Sequence, residues 1–126
     1  MKGKVIATEK APQAIGPYSQ GIEAGSLVCL SGQIAIDPAT GELVPGDIRA
    51  QAEQVMQNIG AILEAAGLGY GDVVKTTCFL TDMKDFAAFN AVYGRYFTDK
   101  PARSCVGVAS LPKGALAEVE VTAVRF

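Results

Sequence analysis

The stretch PGDIRAQAEQVMQNIGAILEAAGLGYGD, residues 45–72, decides how the rest of the chain has to be arranged. Apolar side chains recur at Ile48, Ala52, Val55, Ile59, Ile62 or Leu63, and Ala66. Steps of three and four put them on one face of an amphipathic helix of about 19 residues. Asp47 is an N-cap whose short carboxylate can accept a free N–H of the first turn, and Gly67 is a C-terminal stop. Gly60 costs roughly 1 kcal/mol against alanine within a helix, so its presence points to something packed closely against that turn. GLGYG (67–71) follows a helix rather than opening one after a strand, which makes it a cap and turn, not a phosphate-binding loop. A helix with a single apolar face needs a covering layer.

That layer is read from the flanking segments. LVCLSGQIAI (27–36) and DVVKTTCFL (72–80) are rich in β-branched residues and predict strands. DPATG (37–41) is a turn joining the first of them to a short strand at Glu42 to Val44. TDMKDFAAFNAVYGRYF (81–97) predicts a second helix, capped by Thr81 or Asp82, with Phe86, Phe89, Tyr93 and Tyr96 or Phe97 forming a core stripe. RSCVGVASL (103–111) and AEVEVTAVRF (117–126) predict a closing hairpin joined through PKGA. The order predicts one α+β domain over residues 1–126, a mixed β-sheet with both helices packed on one face.

Composition narrows the chemistry. The 126 residues suffice for one core without metal or disulfide staples. A hydrophobic fraction of 49% is high for so short a chain and points to apolar surface covered by further subunits. The net charge of −2, with 11 basic residues scattered singly, argues against a nucleic-acid partner. No apolar run approaches a membrane span and MKGKVIATEK is no signal peptide, so cytoplasmic residence is expected. Cys29, Cys78 and Cys105 form no CxxC and read as buried free thiols. Histidine is absent, which removes Ser-His-Asp and Cys-His nucleophile pairs and histidine metal sites. Without a histidine base, Cys105 is a poor candidate for a covalent nucleophile.

Strand alternation then raises a question about Arg103. With Val106 and Val108 turned toward the helices in one strand and Val119, Val121 and Ala123 in the other, the opposite face carries Arg103, Cys105 and Gly107 beside Glu118, Glu120 and Thr122. A solvated, ion-paired surface is one reading, since exposed pairs contribute only ~0–1 kcal/mol. The small neighbours favour another: the wall of a subunit interface, where a guanidinium grips a carboxylate with two parallel hydrogen bonds.

Six blocks in order, IGPYSQG (15–21), SGQIAID (31–37), NIGAILEAAG (58–67), VVKTTCFLTDM (73–83), PARSCV (101–106) and EVEVTAV (118–124), resemble the RidA/YjgF family of imine deaminases across essentially the whole chain. The resemblance implies a chorismate-mutase-like fold and a homotrimer, its sheets forming a central barrel with ligand clefts between subunits. It implies hydrolysis of reactive 2-imino acids, or their enamine tautomers, to 2-keto acids and ammonia, with no metal or organic cofactor. By motif, Arg103 is expected to grip the substrate carboxylate. The Cys105 backbone is expected near the imine carbon, and Glu118 positions water and exchanges protons. Tyr18, Ser31, Gly32 and Asn90 complete the cleft, some from the adjacent chain. Two departures stand out: a short connection before Pro101, and Gly107 where relatives often carry glutamate. A trimeric 2-keto acid-binding regulatory or protein-interaction module without turnover fits the same residues.

Overall fold

A computed structural model describes residues 1–126. The long helix, α1, spans Ile48–Ala65, and the Asp47 side chain caps it by accepting from the Ala50 N–H at 3.1 Å. Gly67, at φ 75°, ends it in the left-handed region that suits glycine. Arg125 also donates to the Ala66 carbonyl and to Glu23, tying the end of the chain to the end of α1.

Eight strands accompany it: β1 Lys4–Ile6, β2 Gly21–Ala24, β3 Leu27–Leu30, β4 Ile36–Asp37, β5 Glu42–Leu43, β6 Val73–Leu80, β7 Ala102–Gly107 and β8 Ala117–Val124. The second helix, α2, spans Phe86–Tyr96. Asp82 accepts from the Lys84 N–H at 2.9 Å and caps a short 3₁₀ turn that leads into it. The main sheet runs β1-β2-β3-β8-β6-β7, all antiparallel except β6 with β7. The mixed sheet and two helices match the α+β expectation. Val28, Val119, Val121 and Leu80 face Val55, Ile59, Ile62 and Phe89 in one fully or nearly fully buried core. No helix is long and apolar enough to cross a membrane.

Three expectations are corrected. The last two strands are not a hairpin: β8 lies in the middle of the sheet between β3 and β6, and β7 is an edge strand parallel to β6. The cause is α2, which crosses between β6 and β7 and returns the chain to run in the same direction, as a helical crossover does. The stretch 27–36 is not one strand, because Ser31 and Gly32 interrupt it. β3 ends at Leu30, Gln33 makes one bridge to Val119, and Ile36–Asp37 turns back to pair with β5.

The third correction concerns faces. Thr76 is the partner of both Arg103 and Val121, and Cys78 of both Cys105 and Val119. Arg103 and Cys105 therefore share the helix-covered face with the core valines, while Glu118, Glu120 and Thr122 lie on the open face. Val106 is turned outward and 44% exposed. Valine preference alone misassigned the edge strand, because α2 supplies polar and aromatic partners for a guanidinium beneath it.

Three buried amides brace the framework. Gln20 accepts from the Thr8 N–H and donates to the Pro12 carbonyl at 2.7 Å, and Asn58 on α1 donates to the Ile34 and Ile36 carbonyls. The Gln51 oxygen receives the Leu116 N–H at 2.8 Å, which fixes the approach to β8. Gly60 backs onto Tyr70, whose hydroxyl donates to the Met56 carbonyl and whose Cζ would lie 2.9 Å from an added Cβ. In an ordinary helix Gly→Ala stabilises by ~1 kcal/mol, but here the added methyl strikes a locked ring. Gly60→Ala is expected to destabilise by about 1–3 kcal/mol, read as a lowered denaturant midpoint at unchanged slope.

Candidate functional site

The residues singled out from the sequence fall into two separate groups on the surface. The first is built on α2 and β7. Arg103 donates from Nη1 to Asn90 Oδ1 at 2.7 Å, and its Cζ lies 4.8 Å from the Tyr93 ring centroid and 5.5 Å from that of Phe86. Aromatic faces and one amide thus hold the guanidinium without neutralising its charge. Tyr93 is itself fixed by a 2.7 Å hydrogen bond between its hydroxyl and the buried Thr76 hydroxyl. Thr76 lies directly across the ladder from Arg103, so strand and helix position the same group. The cavity beside it, about 340 Å³, is lined by Arg103, Lys100, Asn90, Tyr93 and Phe97 and by no carboxylate. Lys100 adopts φ 55°, an uncommon conformation for a non-glycine residue, where the short connection turns back into β7.

The second group surrounds Glu118 on the open face. A cavity of about 660 Å³ is lined by Tyr18, Ser31, Gly32, Lys113, Glu118 and Glu120, among others. Ser31 donates to the Ser19 carbonyl at 2.6 Å and its N–H donates to the Gln20 carbonyl, closing one wall. Gly32 lies flat against the Glu118 carboxyl group. An added Cβ would come within 2.9 Å of Glu118 Cδ, so a side chain there would push the carboxylate out of its present position. Burial, and then the like charge of Glu120, raise the Glu118 carboxyl above its ordinary 4.5. Tyr18 is 54% exposed, with its hydroxyl 3.4 Å from the Ile15 N–H that donates to it.

Cys105 is half-buried on the helix-side face, next to Cys78 and close to Arg103. Its thiol is raised by burial, with the nearby guanidinium opposing. Gly107 packs against Met83, where an added Cβ would meet Met83 Cγ at 3.0 Å, so the methionine occupies the space of a longer side chain. No three of the acidic and cysteine side chains form a cluster able to hold a metal ion.

Arg103 and Asn90 are thus brought together, as are Tyr18, Ser31, Gly32 and Glu118, but the two sets lie on opposite faces of one sheet. The sequence reading missed Tyr93 and Phe86 as walls of the Arg103 site. The resemblance placed Asn90 in the cleft but did not pair it with Arg103, although Phe86, Asn90 and Tyr93 at i, i+4 and i+7 share one helix face. Lys113 and Gln20 were missed as well, whereas alternation had already set Glu120 on the face of Glu118.

An arginine and a lysine without a lining carboxylate thus mark one face of the sheet, and a pocket with two glutamates the other. The family model described as Endoribonuclease L-PSP matches residues 8–125, and the chain belongs to that family, the RidA/YjgF family its sequence blocks resemble. The chain is 56% identical over 126 residues to the Escherichia coli K12 protein named 2-iminobutanoate/2-iminopropanoate deaminase, covering 97% of this chain and 98% of that one. It is 55% identical over 123 residues to a RutC family protein of Pyrococcus horikoshii, covering 97% and 98% respectively. Among solved structures, E. coli TdcF with bound serine superposes at a TM-score of 0.93 with 50% identity, covering 98% of this chain and 99% of that one.

Proposed function

We propose that the chain is a 2-imino acid deaminase whose active site is assembled from the two half-sites of different copies. The observation that carries this reading is the division itself: an anion-binding cavity without carboxylates and an acidic cavity on the opposite sheet face cannot meet within one chain. The open face also leaves Val5, Leu27 and Val106 between 44% and 53% exposed, a surface suited to self-association. A homotrimer whose sheets line a central barrel covers that face and brings Arg103 of one copy toward Glu118 of the next.

In such a cleft Arg103 holds the substrate carboxylate with donors that Asn90 leaves free. β7 is an edge strand, so part of its backbone lacks ladder partners, and the Cys105 amide of that strand lies against the imine end. Glu118 takes a proton from water as the water oxygen bonds to the imine carbon, and passes it to nitrogen to give a carbinolamine. It then moves the proton of the new hydroxyl to nitrogen as the carbonyl forms and the C–N bond breaks, so that ammonia and a 2-keto acid leave. Imines hydrolyse in water unaided, so orientation and one proton shuttle suffice, the shuttle contributing roughly 10²–10⁴-fold. The raised Glu118 carboxyl is better matched to that exchange near neutral pH than an ordinary glutamate. Ribonuclease action, which the family description evokes, fits poorly with the net charge of −2 and two glutamates in the larger cavity.

The test mixes two impaired variants. At substrate concentrations below the wild-type KM, Arg103→Ala and Glu118→Gln chains are each expected to hydrolyse 2-iminobutanoate generated in situ at most about a hundredth as fast as wild type. Co-refolded at equal amounts, they form clefts in which an intact Arg103 faces an intact Glu118. Random pairing restores about a quarter of wild-type sites. A mixture with no more activity than its components, in trimers shown to have exchanged subunits, refutes the shared site. A keto acid sensor without turnover predicts no catalytic activity to restore.

A further inference from the structure

Cys78 and Cys105 form a feature that the deaminase reading does not use. They are direct partners on the parallel strands β6 and β7, in register between the Thr76–Arg103 and Leu80–Gly107 pairs. Partners on neighbouring strands present their side chains to the same face, with the backbones about 4.8 Å apart. That separation lies within the roughly 4.4–6.8 Å between Cα atoms that a disulfide spans.

Their surroundings divide the roles. Cys78 is fully buried, and that burial pushes its thiol up to about 12. Cys105 is only half-buried; burial raises its thiol, and the Arg103 guanidinium opposes that rise. An oxidant arriving from solvent therefore meets Cys105 first, with Cys78 behind it. Strand β7 pairs on one side only, so it can shift toward β6 without breaking a second ladder. The third cysteine, Cys29, is exposed on the open face, where its ladder partners are Ile22 and Thr122, and it cannot reach the other two.

We propose that Cys78 and Cys105 are a redox-active dithiol that peroxides convert to a cross-strand disulfide beside Arg103. In the first step the Cys105 thiolate attacks a peroxide oxygen. The O–O bond breaks, a sulfenic acid forms on Cys105, and hydroxide leaves to be protonated to water. In the second, the Cys78 sulfur attacks the Cys105 sulfur, giving up its proton as the S–OH bond breaks and a second water departs. Two thiols are oxidised and one hydrogen peroxide is reduced to two waters. Cys78 thereby protects Cys105 from irreversible oxidation at the edge of the Arg103 half-site.

The experiment treats the intact protein with hydrogen peroxide, then alkylates it in denaturant and maps the peptides by mass. The expected product has lost two hydrogen atoms, carries a linked Cys78–Cys105 peptide pair, alkylates only at Cys29, and recovers all three thiols after dithiothreitol. In Cys78→Val, Cys105 should instead accumulate sulfenic acid, trapped by dimedone, and proceed to sulfinic acid. The wild-type map decides the matter even if that variant folds poorly. Cys78 still alkylating, with no linked Cys78–Cys105 pair, at peroxide doses that oxidise Cys105 or Cys29, or wild type forming as much sulfinic acid as Cys78→Val, overturns the proposal. None of these readouts depends on imine turnover.

Discussion

Replacing Arg103 by alanine is expected to lower kcat/KM for 2-iminobutanoate on the order of 10²–10³-fold while leaving the assembly intact, because truncating one partner of a desolvated charge pair costs about 2–5 kcal/mol. The loss should fall mainly on KM. The carboxylate is present in substrate and transition state alike, so its grip is uniform binding rather than selective transition-state stabilisation. Arg103→Lys should recover only part of the loss, since an ammonium can neither form the two parallel hydrogen bonds nor lie as a plane against Tyr93 and Phe86. Analytical ultracentrifugation separates this outcome from subunit dissociation. A folded, assembled Arg103→Ala protein with undiminished kcat/KM would remove Arg103 from the site. The same logic extends to the residues behind it. Tyr93 keeps its ring beneath the guanidinium through the Thr76 hydroxyl, so a loss of that ring should also appear in KM before kcat.

The contrast between what the sequence reveals and what it hides follows from the range of each interaction. The α1 helix is legible because its signals are local: an apolar period, a capping Asp47 and a stopping Gly67 all lie within about 20 residues. Gly60 could be read as a close approach, though not which side chain approaches, because Tyr70 reaches it through a fold-back beyond the helix end. The place of β8 in the sheet order was not legible. Whether β8 pairs with β7 or is inserted between β3 and β6 depends on where α2 crosses, and that is a long-range choice. The face assigned to Arg103 failed for the same reason. Alternation fixes which residues travel together, but not which set faces the helices when one contains valine and the other contains an arginine that the helix itself can satisfy. Asn90 supplies that satisfaction; helical spacing sets it on the Phe86–Tyr93 stripe, but that this stripe covers β7 is a long-range fact. The division of the candidate site between two faces is a consequence of that topology.

Glu118→Gln is the complementary substitution, expected to lower kcat by roughly 10²–10⁴-fold with little change in binding of a 2-keto acid product, since it removes a proton acceptor and keeps the shape. The wild-type rate should rise with pH as Glu118 ionises, and this acid limb should lie above the ordinary carboxylate value of 4.5, first because of burial and then because of Glu120. Glu120→Gln removes the like charge and should move the limb to lower pH without abolishing turnover. Stability supplies an independent sign. A carboxyl whose pKa is raised on folding makes no contribution below its unfolded value, where it is protonated in both states. It opposes folding increasingly as pH climbs from that value through the folded one, and fully above it. Glu118→Gln should therefore melt no lower than wild type at neutral pH, with any gain disappearing in acid. A variant that is both inactive and markedly less stable at neutral pH would mean that the carboxylate holds the cleft together rather than moving protons within it. Higher stability combined with lost turnover is the pattern expected of a group kept ionised in an unfavourable place because the reaction needs it there.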